Sequence, residues 1–474
     1  MSTPPGTSPL PETRVVIVGG GPGGYEAALV ARRLGADVTI VEEKGLGGSA
    51  VLTDVVPSKT LIATAEWMTI ADRAPELGIR SGLGPDHGHH IDLAAVNTRV
   101  KALAAAQSAD IRGRLEKEGV RVVLGRGRLD GPQRVVVSLV DGGGETTLDA
   151  DVVLVATGAR PRELPEARPD GERILTWTQL YDLPALPEKL IVVGSGVTGA
   201  EFAGAYTSLG SQVTLVSSRD RVLPGEDTDA AELIEDVFKR RGMTVLSRSR
   251  AAGARRTSDG VVVTLADGRE VEGTHVLFAV GSVPTTSGLG LEESGVRLSP
   301  SGHVEVDKVS RTSVRGVYAA GDVTGVFPLA SVAATQGRIA MSHALGDAVT
   351  PLSLRAVAAN IFTAPEIATV GYSEQRLTDE GMAYEVSSLP LTRNPRAKML
   401  GVREGFVKIF ATPGAGIVLG AVLVGPRASE SVFPLALAIT HRLSVDQVAQ
   451  VITVYPSMSG TLAEVARTLH HRTD

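Results

Sequence analysis

Two sets of glycines hold the most legible chemistry in this chain. Gly19-x-Gly21-x-x-Gly24 closes an apolar run at residues 14–19 (RVVIVG), and Glu42 follows 23 residues after Gly19. The first glycine permits a tight turn and the second lets backbone N–H groups approach a pyrophosphate. The third allows a helix to pack closely on its strand. A carboxylate ending the next strand accepts hydrogen bonds from an adenosine ribose, so the set predicts a dinucleotide site. Gly194-x-Gly196-x-x-Gly199 repeats the arrangement after residues 189–194 (KLIVVG). Its second strand ends at Ser217, not at an acid, and Ser218 and Arg219 follow. A carboxylate there repels a ribose 2′-phosphate, whereas hydroxyls and an arginine admit one, so NADPH is expected alongside NADH. Two such sites in one chain suggest a flavin held permanently and a nicotinamide that comes and goes.

Each set must be positioned by a strand–helix–strand unit. Residues 14–19 and 37–42 read as buried parallel strands flanking a helix that ends near Leu34. Residues 189–194, 197–209 and 212–217 repeat that grammar about 175 residues later, which indicates two nucleotide-binding domains and not a short-period repeat. Long helical patterns cover 57–72 and 92–118. Strands are expected at 121–125, 134–139 and 151–157. Residues 161–187 hold five prolines and much charge and read as a connector. Beyond about residue 355, strand patterns at 406–410 and 417–424 mix with helical patterns at 429–440 and 444–451, suggesting a separate α+β domain. The fold class expected is α/β, with two Rossmann-like dinucleotide-binding domains plus a C-terminal α+β domain, whose dimerisation role is implied by the family resemblance described below. With what that resemblance implies, the boundaries are a disordered tail at 1–12, a flavin-binding domain at 13–160 with 286–350, a nicotinamide-binding domain at 161–285 and a dimerisation domain at 351–474.

The chain has 474 residues and no cysteine. Disulfides, thiolate nucleophiles and cysteine-held metals are excluded. Lys and Arg number 47 against 53 Asp and Glu, a net charge of −6, so no nucleic-acid footprint is expected. No run of about 18 apolar residues appears, and stable membrane insertion is not expected. Residues 1–12 are rich in Pro, Ser and Thr and do not read as a secretory signal. A cytoplasmic protein is the expectation. The stretch 82–90 (GLGPDHGHH) holds His87, His89 and His90, three of nine histidines. It reads as a solvated loop, with a metal site as the alternative.

Further motifs carry a resemblance. Gly47-Gly48, Pro57-Ser58-Lys59, Ala156-Thr157-Gly158, Gly281-Ser282-Val283-Pro284 and Arg311 with Tyr318-Ala319-Ala320-Gly321-Asp322 fall in order with the two glycine sets. Over roughly residues 13–468 the chain resembles the lipoamide dehydrogenase and glutathione reductase family of flavoproteins. The resemblance implies FAD on the first site, with Asp322 holding the ribitol and Ala330 near the flavin. It also implies cofactor contacts from Gly48, Ser49, Lys59, Gly127, Thr157 and Gly158, with Gly281 on the nicotinamide side. It implies a homodimer formed through the C-terminal domain. Lys59 and Glu201 match a pair that lies beside the flavin N5 in the family, and a buried ammonium needs such a partner.

The resemblance breaks where the family does its thiol chemistry. Ala50 and Val55 occupy the positions of the redox disulfide. Tyr455 and Gly460 stand where the family has its base, a histidine, and a glutamate. A phenol with a pKa of about 10 is a poor general base at neutral pH. Tyr455 reads equally as a core aromatic or as a contact for an acceptor. The resemblance is closest to the family's NAD(P)H quinone reductase branch. It implies direct two-electron transfer to a quinone-like acceptor with Lys59, Glu201 and Tyr455 as the catalytic candidates, and no lipoamide or glutathione reduction. A soluble pyridine-nucleotide transhydrogenase and a non-catalytic flavin-binding module are the alternatives.

Overall fold

The computed structural model describes residues 12–79 and 90–470, which group into two compact units. The first takes in the described residues up to Pro57 with Lys101–Arg160 and Ser282–Leu352. Its seven-stranded sheet is built on β1 (Arg14–Val18), β2 (Asp37–Glu42), β3 (Arg121–Leu129), β4 (Arg134–Leu139), β5 (Glu145–Asp149) and β6 (Val152–Val155). In space the order is Val317–Ala319, β6, β1, β2, β3, β4, β5. The first five strands run parallel, and β3 to β5 form an antiparallel meander. β1 is central and parallel-paired on both edges, which is why RVVIV is a continuous apolar run and not an alternating one.

Helix α1 (Pro22–Arg33) starts with proline in its first turn, where the missing N–H costs nothing. A Cβ on Gly24 would overlap the Gly19 carbonyl oxygen, so glycine sets how closely α1 lies on β1. A Cβ on Gly337 would likewise overlap the Gly23 carbonyl, which lets helix Ala330–Ala344 press against α1. Helix α2 (Gly48–Leu52) and the start of α3 (Val55–Asp72) follow β2, and α4 (Leu93–Lys117) precedes β3.

The second unit takes in the described residues of Ser58–Val100, Pro161–Gly281 and Ser353–Asp474. A short strand, β7 (Ala159–Pro161), lies where the chain passes into it. One five-stranded parallel sheet contains β8 (Ile174–Thr176), β9 (Lys189–Val193), β10 (Gln212–Val216), β11 (Thr244–Leu246) and the strand His275–Phe278, in the order β11, β10, β9, His275–Phe278, β8. Helix α5 (Val197–Leu209) joins β9 to β10, and α6 (Thr228–Arg240) precedes β11. Residues 161–187 are not a bare connector. They supply edge strand β8, and Trp177, Leu180 and Tyr181 enter the core. A three-residue strand between prolines leaves no period for a sequence reading to find.

A second five-stranded sheet, wholly antiparallel, forms the C-terminal part. Its strands Phe406–Ala411 and Val418–Gly425 are covered on both faces. Lys408, on the first of these, is only 3% exposed. Its Nζ lies 3.0 and 2.9 Å from the two Asp227 carboxylate oxygens and 2.5 Å from Asp229. Burial alone would lower the Lys408 pKa, but the Asp229 and Asp227 carboxylates outweigh it and hold the ammonium above its ordinary value. Asp227 also caps α6 through the Ala230 N–H. Among the described residues, no helix is long and apolar enough to cross a membrane.

Candidate active site

The cradle in the first unit is set by backbone geometry. Gly19 adopts φ +104° and donates its N–H to the Val41 carbonyl at 2.8 Å, tying the turn to the end of β2. A side chain there would overlap the Ala156 carbonyl. Glu42 ends β2 with its carboxylate turned onto the turn. It accepts from Gly20 N at 2.6 Å, Lys44 N at 2.8 Å and Gly45 N at 3.2 Å. A carboxylate has about four acceptor sites, so one remains for a ribose hydroxyl. Gly21 and Gly48 face each other, and a Cβ on Gly48 would come 2.8 Å from the Gly21 Cα. The first turns of α1 and α2 therefore bring unobstructed N–H groups to one place, as an anion requires. Ser49 and Ala50 follow in α2, and Ser49 is exposed.

Thr157 donates its Oγ1 to the Thr285 carbonyl at 2.7 Å, and Gly158 turns the chain at φ +66°. Gly127 is buried in β3, where a Cβ would crowd Val18 and Val41, so packing accounts for that glycine. Asp322 opens a short 3-10 turn just before Ala330 begins its helix. Burial raises the Asp322 carboxyl above its usual range, with His303 opposing, and no described group donates to it. Gln336, which sequence reading missed, fixes this turn. It is buried and accepts from Gly321 N at 2.9 Å. A side-chain-free cradle beneath two helix starts and a desolvated acceptor fit the pyrophosphate and polyol of FAD.

The second unit repeats the cradle with one exchange. Gly194 takes φ +112° and donates to the Val216 carbonyl at 2.9 Å, and a Cβ on Gly199 would overlap the Gly194 carbonyl. Gly196 is unobstructed at the start of α5. Ser195 replaces Gly20 and Ser217 replaces Glu42, and their hydroxyl oxygens lie 2.7 Å apart. Ser217 is fully buried, so only Ser218 and Arg219 of the predicted trio face outward. Gly281, at φ +90°, accepts from Arg162 N at 2.9 Å.

The ion pair also lies in the second unit. Lys59, in α3, places Nζ 2.6 Å from Glu201 Oε2. Glu201 sits in the first turns of α5 and is 3% exposed. Its other oxygen accepts from Phe362 N at 2.8 Å, and the Phe362 ring centroid lies 5.0 Å from Nζ. Phe362 was not foreseen, because nothing local in sequence marks a backbone N–H that will meet a carboxylate 161 residues away. Val55 is four residues before Lys59 on α3, so the two share a face. Tyr455 is 80% exposed beside Ile452, at 98%, so the core-aromatic reading is wrong for the chain by itself. Gly460 begins the last helix. His87 and His89 lie outside the described residues and His90 is exposed. Among the described residues, no three metal-ligating side chains converge.

Comparison with known proteins follows the same lines. Residues 13–337 match the pyridine nucleotide-disulphide oxidoreductases, and residues 357–466 match the dimerisation domain of that family. A protein of Mycobacterium tuberculosis named NAD(P)H dehydrogenase (quinone) is 54% identical, over 96% of this chain and 94% of the relative. Dihydrolipoyl dehydrogenase of Geobacillus stearothermophilus is 33% identical, over 96% of each. The crystal structure of LpdA from Mycobacterium tuberculosis superposes with a TM-score of 0.92 at 53% identity, covering 97% of this chain and all of that one. With both matched regions spanning most of its length and zero cysteines in its sequence, the chain belongs to the pyridine nucleotide-disulphide oxidoreductase family while lacking the disulfide.

Proposed function

We propose that the chain is an FAD-dependent NAD(P)H:quinone oxidoreductase that works without a sulfur relay. The observation that carries this reading is the loss of both thiols, at Ala50 and Val55, in a chain that keeps both dinucleotide cradles and the Lys59–Glu201 pair. A relative at 54% identity bears the same activity in its name. When bound, FAD supplies the redox chemistry, exchanging two electrons with NAD(P)H and with the acceptor.

The chain's own groups do the rest. Gly19, Gly21, Gly24 and Gly48 keep side chains away from the two helix starts that would hold the pyrophosphate, and Glu42 and Asp322 would accept from the sugar and polyol hydroxyls. Lys59, held by Glu201, would supply the positive charge that the family resemblance puts beside the flavin N5. Ala50 and Val55 offer an apolar surface where thiols would stand, and a flat quinone suits such a surface. Gly194, Gly196 and Gly199 receive the nicotinamide dinucleotide, and Ser218 and Arg219 admit a 2′-phosphate. The matched dimerisation domain and the exposed Phe433, Ile452, Val454 and Tyr455 favour a homodimer.

Purified protein is mixed anaerobically with NADPH, then with menadione, an NAD+ analogue or lipoamide in parallel. Bleaching of the flavin with rapid menadione turnover and none with lipoamide is expected. Faster transfer to the NAD+ analogue replaces this reading with a transhydrogenase. A flavin that stays oxidised leaves only a binding module.

A further inference from the structure

We infer that Arg248 is the second arm of a clamp on the 2′-phosphate of NADPH, closing on that group from the side opposite Arg219. The inference rests on the reading that the second cradle accepts NADPH. Arg248 is 29 residues beyond Arg219 and belongs to no glycine motif. Parallel pairing of β10 with β11 brings the two together, because Val216 stands opposite Leu246.

Beyond the ends of those strands the two segments stay locked. Ser217 N donates to the Leu246 carbonyl at 2.9 Å, Ser249 N donates to the Ser217 carbonyl at 2.7 Å, and Arg248 N donates to the Arg219 carbonyl at 2.7 Å. The turn at 247–249 is also tied from beneath. Ser249 is buried and its hydroxyl accepts from Arg269 Nη2 at 2.8 Å, while Asp267 holds the Arg269 guanidinium at 2.7 Å.

Arg248 itself adopts φ +51°. That left-handed conformation is uncommon for a residue with a side chain and costs about 1 kcal/mol or more, so a glycine or asparagine would be the default. Both Arg219 and Arg248 are exposed, and among the described residues neither pairs with a carboxylate. The segments 217–221 and 247–250 carry four arginines against the single acid Asp220. Such an uncompensated patch at the end of the second strand of a dinucleotide unit lies where the adenosine ribose is read. Two guanidinium forks suit the oxygens of one phosphate dianion.

The test is calorimetric titration of the FAD-loaded protein with adenosine 2′,5′-bisphosphate and with 5′-AMP. These probes differ only in the 2′-phosphate and need no turnover. The parent is expected to bind the bisphosphate more tightly. Arg248→Asn, which keeps a residue tolerant of the left-handed turn, is expected to weaken the bisphosphate about tenfold and 5′-AMP less than about twofold, as loss of one charged hydrogen bond requires. Arg248→Lys should recover part of the loss. If the parent does not distinguish the two probes, the NADPH reading falls and the clamp with it. If the parent distinguishes them but Arg248→Asn binds both as before, or loses both equally, the clamp alone is overturned.

Discussion

Replacing Lys59 by methionine keeps the length and volume of the side chain and removes its charge. In the structure that charge lies 2.6 Å from Glu201 Oε2, and the Glu201 side chain is 4% exposed. On the proposed reading the ammonium stabilises negative charge gained by the flavin. Such a charged interaction contributes about 1.5–3 kcal/mol, and each ~1.4 kcal/mol is tenfold in rate. The limiting rate of flavin bleaching by saturating NADPH, followed anaerobically by stopped flow, should therefore fall about ten- to a hundredfold. The same change strands the Glu201 carboxylate with only the Phe362 N–H as partner, an uncompensated buried charge. Lys59→Met with Glu201→Gln relieves that and separates the two effects. If Glu201 acts by holding Lys59, the double variant is as slow as Lys59→Met but regains stability. A limiting rate for Lys59→Met within about twofold of the parent would refute the placement of Lys59 at the flavin.

Other expectations follow from the same geometry. Lys408→Met leaves the buried Asp227 carboxylate unpaired and should cost about 3–5 kcal/mol in urea unfolding, with most of it recovered by adding Asp227→Asn; an unchanged midpoint would mean the pair is neutral. Ser217→Glu with Ser195→Gly copies the Glu42–Gly20 contact into the second cradle and should move the ratio of NADPH to NADH dissociation constants toward NADH, whereas a constant ratio would show that the strand end does not read the 2′ group. Burial raises the Asp322 carboxyl, and hydroxyl donors from a bound polyol favour its ionised form. Binding then releases a proton, so FAD affinity of the apoprotein should rise with pH through the range in which the free Asp322 carboxyl titrates and level off once Asp322 is ionised in both states. The Asp322→Asn variant should lose that dependence, and a parent titration that is already flat would contradict the assignment.

The two cradles were legible because their glycines answer to backbone constraints that act within a few residues. Gly19 must turn at positive φ and Gly24 must lie against the Gly19 carbonyl whatever the rest of the chain does. Glu42 was legible for the same reason, although its three backbone partners were not. What escaped reading depends on tertiary encounters. Gln336 under Gly321, Phe362 against Glu201 and Arg248 beside Arg219 each join segments whose spacing carries no period. The burial of Lys408 also depends on such an encounter, since its partner Asp227 comes from another element. Strand β8 is hidden from sequence reading by its short length among prolines, and the exposure of Tyr455 is not a property of a residue and its neighbours alone.

Ala50 and Val55 also bear on durability. Quinones are electrophiles that alkylate thiolates, and peroxides carry a thiolate stepwise to acids that reductants do not restore. A relay built on cysteine is thus exposed to poisoning by the very compounds a quinone reductase handles. Helices α2 and α3 present only hydrocarbon at those two positions. Neither position has a thiolate to be capped or oxidised, and thiol-directed inhibitors of the sulfur-bearing relatives find no target anywhere in this chain.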